Sequence, residues 1–308
     1  MTDTCSRNAR SKCVKSMLLL DTLAHGRRFP NPSPVIDTHC HLLYDGIHER
    51  LERVLADART AGVSGFVTIA TTTSDAVRGA ALADEHPDVW CTSGIHPLHA
   101  ADPISWDDMH RAAQHPKCVA WGELGLDNHY ADPPAALQTS VLEEQLTRIK
   151  AWRHEGLVKP IVIHCRRAVP QLLPILRASG LPADRFVFHC FTETADDARA
   201  VLDFGAWISF TGVVTFRSAP EVAAAAKLVP DDRIMCETDA PFLSPEPVRG
   251  ARPCVPAYVM HTGLFLAALR GTSFDAFERT VDANARRFFS LPESVGRAAI
   301  TGSAPRLA

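Results

Sequence analysis

From residue 35 onward the chain alternates short β-branched or apolar runs with longer segments of helical character. The runs fall at 35–41, 65–70, 89–94, 119–123, 160–164, 186–189, 206–210 and 234–238. Segments such as 47–61, 136–155 and 168–179 follow them and are long enough for helices. Eight such units over about 250 residues predict an α/β fold, a (β/α)8 TIM barrel. A doubly wound sheet shares the alternation and is the competing arrangement. The stretch 274–289 reads as a last helix packing on the outside. The predicted organisation is a single barrel domain at 35–291, a flexible N-terminal extension at 1–34 and a C-terminal tail at 292–308. The extension carries Arg7, Arg10, Lys12, Lys15, Arg27 and Arg28 and ends in a proline-rich run. It reads as loose chain, with a nucleic-acid-binding arm or a targeting segment as the sharper alternatives.

Composition narrows the classes. Apolar residues make up 46% and charged residues 22% of the 308, which permits a sizeable core and excludes wholesale disorder. A net charge of -3 leaves no global basic field to hold duplex DNA, although a local basic rim remains possible. No apolar run reaches the roughly 18 residues that a membrane span needs. The nine cysteines are scattered and form no CxxC pair, which argues against a disulfide framework and a structural zinc finger. A cytoplasmic location is expected, and no obligate protein partner is evident.

The chemistry sits where the strands end. Asp37-Thr38-His39-Cys40-His41 closes the first run, and period-two alternation puts Asp37, His39 and His41 on one face. Glu123 closes the fourth, His164 the fifth, His189 the sixth, and Glu237-Thr238-Asp239 the eighth. In a barrel these ends converge on one rim, where active sites lie. Buried ionisable groups must be paired or ligated, so four histidines and several carboxylates at one mouth predict divalent metal. Their number exceeds one tetrahedral site and points to two ions such as Zn, Mg or Mn, with Glu123 as the bridge. The matching chemistry is hydrolysis by activated water, with Asp239 as general base. Arg166, Arg249 and Arg252 are candidate phosphate contacts, and His96, in Gly94-Ile95-His96-Pro97, is a candidate substrate contact at the same rim. Cys40, Cys165 and Cys190 alternate with histidines and are expected between barrel and helices, where a thiol acts as a small hydrophobe. Trp90, Trp121 and Trp207 read as core.

In this order the motifs DTHCH at 37–41, GIHP at 94–97, GELGLD at 122–127, IHCR at 163–166, HCF at 189–191, ETDAPFL at 237–243 and VRGAR at 248–252 resemble the TatD family of metal-dependent hydrolases, within the amidohydrolase superfamily. The resemblance spans roughly residues 35–291. It implies a TIM barrel with His39, His41, Glu123, His164, His189 and Asp239 as metal ligands. It also implies metal-dependent deoxyribonuclease activity, including 3′-to-5′ action on single-stranded DNA, and a phosphate role for Arg166. The sequence departs from the family pattern at Arg167, at Thr192-Glu193 and in the loop 128–134. These departures touch the substrate side and leave the ligand set intact. Hydrolysis of a small ester, amide, lactone or aminoacyl bond on the same site is the alternative function. A non-catalytic binding module on an inert barrel is the third class, and the costly buried ligand set speaks against it.

Overall fold

Eight strands pair in chain order, and every pairing is parallel. They are β1 (Val35–Cys40), β2 (Val63–Thr68), β3 (Val89–Ser93), β4 (Cys118–Asp127), β5 (Ile161–Arg166), β6 (Phe186–Phe188), β7 (Trp207–Phe210) and β8 (Ile234–Cys236). The computed structural model describes residues 35–292. The predicted extension at 1–34, and all but the first residue of the predicted tail, lie outside them. The seam between β8 and β1 is stitched just past the strand ends. The Asp239 amide donates to the His39 carbonyl at 2.8 Å, and the His41 amide donates to the Ala240 carbonyl at 2.7 Å. The barrel reading therefore holds, and the doubly wound sheet is excluded.

The helices follow from local sequence. In α1 (Leu51–Ala61) the buried residues Leu51, Val54, Leu55 and Ala58 recur at helical spacing. Gly62 ends it in a left-handed conformation at φ 106°, which costs glycine nothing. The Thr72 hydroxyl accepts the Asp75 amide and starts α2 (Thr73–Glu85). After α3 (Trp106–Ala113), α4 (Ala135–Arg153) and α5 (Val169–Ser179), a reciprocal Thr194–Asp197 capping box opens α6 (Ala195–Phe204). Then come α7 (Pro220–Leu228), α8 (Val259–Leu269) and α9 (Phe274–Phe289). No helix among the described residues is long and apolar enough to cross a membrane.

Two apolar layers result. Phe66, Trp121, Ile163, Phe186, Phe188 and Phe210 pack between strands and helices. A second cluster takes one residue from each strand: Ile36, Val67, Trp90, Ala120, Val162, Val187, Trp207 and Met235. Phe288 and Phe289 of α9 join it, with the Phe288 ring 5.2 Å from Trp207. The last helix thus does more than cover the outside, because its final turn packs against the barrel's own interior. Burial of such large rings stabilises by about 2–3 kcal/mol each.

The strands carry several register shifts, and two of them serve the rim. Ile36 belongs to the interior cluster, yet Cys40, four residues on, packs on the helix side. A register shift between Asp37 and Cys40 reverses the pattern. Ala120 and Leu124 show the same reversal across a shift between Trp121 and Leu124. Strict alternation would join Asp37 to His39 and His41. Instead its carboxylate accepts the Thr238 amide at 2.9 Å and the Thr238 hydroxyl at 2.6 Å.

His261 on α8 yields a test of this packing. It is 3% exposed, and its Nδ1 has no hydrogen-bond partner among the described residues. Burial pushes its pKa down from 6.5 to about 4. The folded state therefore prefers the neutral ring. Its contribution is full above the unfolded pKa of 6.5 and is lost as pH falls toward about 4. The two-and-a-half-unit difference amounts to roughly 3 kcal/mol. His261→Leu is expected to lose less stability than the parent chain over that window in urea unfolding; parallel losses would show that His261 titrates normally.

Candidate metal centre

Glu123 lies at the middle of the carboxyl rim and is 2% exposed. Its two oxygens face different pairs of imidazoles. Oε1 is 3.6 Å from His39 Nε2 and 3.6 Å from His41 Nε2. Oε2 is 2.7 Å from His189 Nε2 and 3.4 Å from His164 Nδ1. Asp239 Oδ1 completes the first side, 3.3 Å from His41 Nε2 and 3.5 Å from His39 Nε2. The His39 and His189 rings stack at 3.8 Å and join the two sides. All six residues singled out by sequence are thereby gathered at one point.

The local backbone explains how they converge. Each lies in the carboxyl-terminal half of a strand or just past its end, so the parallel sheet delivers them to one end. Gly125 sits between Glu123 and Asp127, and a Cβ there would lie 1.9 Å from the His164 carbonyl oxygen. Only glycine lets β4 press this closely against β5. Asp239 and Cys190 hold left-handed backbones at φ 58° and 43°, sparsely populated for such residues and typical of functional rims.

Electrostatics favour a bound cation. Burial would raise the Glu123 carboxyl, but His189, His96, His39 and the His164 hydrogen bond together outweigh it and hold it well below the usual carboxylate range. Burial likewise opposes ionisation of Asp239, and the His41 hydrogen bond with the surrounding imidazoles overcomes it. Burial, reinforced by His189, lowers His39. By contrast, Asp239 and Glu123 raise His41, Asp127 and Glu123 raise His164, and Glu123 and Glu237 raise His189, each against burial, so the two carboxylates hold positive charge at this point. Both nitrogens of His39 are buried without a hydrogen-bond partner among the described residues. Such orphaned polar atoms are costly in a protein interior and are what a divalent ion would satisfy. The donor set of imidazole and carboxylate fits the group.

His96 differs from its neighbours. Its Nδ1 accepts the Leu98 amide at 3.0 Å, so the neutral ring carries its proton on Nε2. That Nε2 points to His164 Nδ1 at 3.1 Å. Burial lowers His96 well below its ordinary value. The ring is set up as a neutral hydrogen-bond donor aimed at the centre. Arg166 ends β5 at the rim, with its guanidinium 5.4 Å from the Tyr130 ring. Arg249 and Arg252 lie in the loop after β8. Arg252 donates to the Arg249 and Ala251 carbonyls, and Arg249 covers the Phe216 ring at 4.0 Å. Cys40 and Cys165 are buried in the helix-facing layer as expected, and Trp90, Trp121 and Trp207 are core.

Two carboxylates stand behind the rings, and the sequence reading gave neither a role. Asp127 Oδ2 lies 3.1 Å from His164 Nε2, which leaves Nδ1 to face the centre. Glu237 stands 3.6 Å behind His189 Nδ1 and is held by the Cys190 amide and the Ser209 hydroxyl, each at 2.6 Å. The signal for Asp127 was present: Glu123, Gly125 and Asp127 share one face if β4 runs on to residue 127, as it does.

A family model described as TatD related DNase matches residues 36–290. The chain is 35% identical over 263 residues to the protein named uncharacterized metal-dependent hydrolase YcfH of Escherichia coli strain K12, covering 84% of this chain and 97% of the relative. It is 33% identical over 252 residues to the protein of Erwinia tasmaniensis named 3′-5′ ssDNA/RNA exonuclease TatD, covering 78% and 93%. Its fold matches the crystal structure of YJJV, a TatD homologue from Escherichia coli K12, with a TM-score of 0.78, 27% identity and coverage of 84% and 98%.

The Asp127–His164 pair is testable. A carboxylate behind a ligating imidazole fixes its tautomer and raises its basicity, and losing it typically weakens metal binding about 10–100-fold. Asp127→Asn is expected to weaken Mn or Zn binding by that factor in calorimetric titration. An unchanged affinity would remove Asp127 from any role at the centre.

Proposed function

Because the chain belongs to the TatD related DNase family of metal-dependent hydrolases, we propose that it is a divalent-metal-dependent deoxyribonuclease, of 3′-to-5′ exonuclease type, acting on single strands. One observation carries the reading: a single buried carboxylate turns one oxygen to His39 and His41 and the other to His164 and His189. Divalent ions of the Zn, Mn or Mg class, two by the number of donors, would be held by His39, His41 and Asp239 on one side and by His164 and His189 on the other, with Glu123 serving both. Such ions lower the pKa of a coordinated water and polarise the phosphodiester under attack.

The chain's own groups supply the rest. Asp239 is ionised and partly open to the mouth, and it takes the proton of the attacking water. His96 donates from Nε2 to a non-bridging phosphate oxygen, a contact that gains strength as charge develops there. Arg166 holds a phosphate at the rim, with Arg249 and Arg252 as further contacts from the loop after β8. Glu193 sits among these cations, and its carboxylate accepts the Arg167 amide at 2.6 Å. The Arg166 and Arg167 charges nearby temper the repulsion that Glu193 would offer a polyanion. The seven described cysteines are all free, which suits the cytoplasm as the location.

End-labelled single-stranded DNA, incubated with Mg, Mn or Zn, is expected to release nucleotides from its 3′ end, and Asp239→Ala is expected to abolish release. No release by metal-loaded protein would shift the assignment to small ester, amide or aminoacyl substrates of the same centre. Arg166→Ala is expected to raise KM or lower kcat for phosphodiesters by about ten-fold, with metal content unchanged. Wild-type kinetics in that variant would make Arg166 purely structural.

A further inference from the structure

Three aromatic side chains are exposed among the described residues although their size favours burial: Tyr44 at 50%, Tyr130 at 51% and Phe242 at 43%. All three stand on loops leaving the carboxyl ends of strands, after β1, β4 and β8, so every one is at the mouth. Each is tied by its own backbone to the centre. The Tyr44 amide donates to the His41 carbonyl at 3.2 Å, and the Phe242 amide donates to the Asp239 carbonyl at 2.9 Å. The Tyr130 amide reaches Asp127 Oδ1 at 3.3 Å.

These rings form two groups. Phe242 lies 6.1 Å from the His41 ring, and Tyr44 meets Phe242 at 5.3 Å with the planes at 74°. The pair makes a corner that offers a flat ligand one ring face and one ring edge. Behind it the backbone is fixed, because a Cβ on Gly212 would lie 2.2 Å from the Leu243 carbonyl oxygen. Tyr130 lies against the Arg166 guanidinium at 5.4 Å. In a ring of eight strands, β8 and β1 stand half a turn from β4 and β5. The two groups therefore face each other across the metal centre.

We propose that Tyr44 and Phe242 stack the nucleobase next to the scissile phosphate, while Tyr130 with Arg166 receives a second base across the mouth, so that the site selects strands whose bases are unpaired. This rests on the nuclease reading of the centre. Aromatic rings stack any base, because every base has a π-face, and they hold single strands without sequence preference. A paired base has both faces covered by its neighbours and must leave the stack before it reaches such a corner. An anion-binding centre flanked by aromatic rings matches the alternation of phosphate and base along one strand.

The test compares the metal-loaded full-length protein on a labelled oligothymidine and on the same strand with tetrahydrofuran abasic units flanking the terminal phosphodiester. Wild type is expected to favour the base-bearing strand by about ten-fold in kcat/KM, mainly through KM. Phe242→Ala and Tyr44→Ala are expected to shrink that ratio toward one, and Phe242→Trp to retain it. Anisotropy of a labelled, uncleavable methylphosphonate oligothymidine and its abasic counterpart is expected to give the same ratios without turnover. Equal cleavage of both strands by wild type, or a ratio that survives in both alanine variants, overturns the stacking corner and leaves the nuclease reading standing. Cleavage of neither strand overturns the nuclease reading and this inference with it.

Discussion

A carboxylate buried among imidazoles is the constraint from which the rest of this structure follows. Glu123 is almost wholly withdrawn from water, and an ionised carboxylate in that position is prohibitively costly unless it is compensated. Four imidazole nitrogens within 3.6 Å provide the compensation, and both ring nitrogens of His39 still lack a hydrogen-bond partner among the described residues. The arrangement is therefore incomplete as a hydrogen-bond network, and its donors are grouped closely enough to hold a metal ion. Stability and function compete here, because the same groups would pack better if they were apolar.

The barrel is bent to serve that point. Its seam is closed by the backbones of His39, His41, Asp239 and Ala240, so closing the barrel and gathering His39, His41 and Asp239 are one event. Two register shifts turn His39, His41 and Glu123 inward where plain alternation would turn them out. Gly125 removes a side chain so that Glu123 and Asp127 can straddle His164. Behind the rings, Asp127 and Glu237 hold tautomers and orientations, a supporting layer that metal sites generally need. The aromatic end of α9 packs against the interior residues of all eight strands.

The fold and much of the candidate site were legible because they depend on local patterns. Alternating strand and helix signals gave the barrel, with strand ends misjudged mainly at β4, which runs four residues beyond the expected Glu123. The histidines and carboxylates stood out because such residues rarely end apolar strands by chance. Asp37 was misplaced, since a bulge is a tertiary adjustment with no mark in period-two counting. Asp127 was passed over because its role depends on where β4 stops. The exposed aromatics were also passed over, because exposure is a property of the folded surface.

What sequence alone determined is the set of chemical groups and the end of the barrel that carries them. A strand's carboxyl end is a position in the chain, so His39, Glu123, His164, His189 and Asp239 declare their rim before any coordinates exist. Only the tertiary structure decided how those groups pair. It gave each oxygen of Glu123 its own two imidazoles and made His96 a donor through the Leu98 amide. It also set Tyr44 and Phe242 opposite Tyr130 across the mouth. Those relations join residues far apart in the chain, and distances of a few ångströms between such residues are fixed by packing and barrel closure rather than by local spacing.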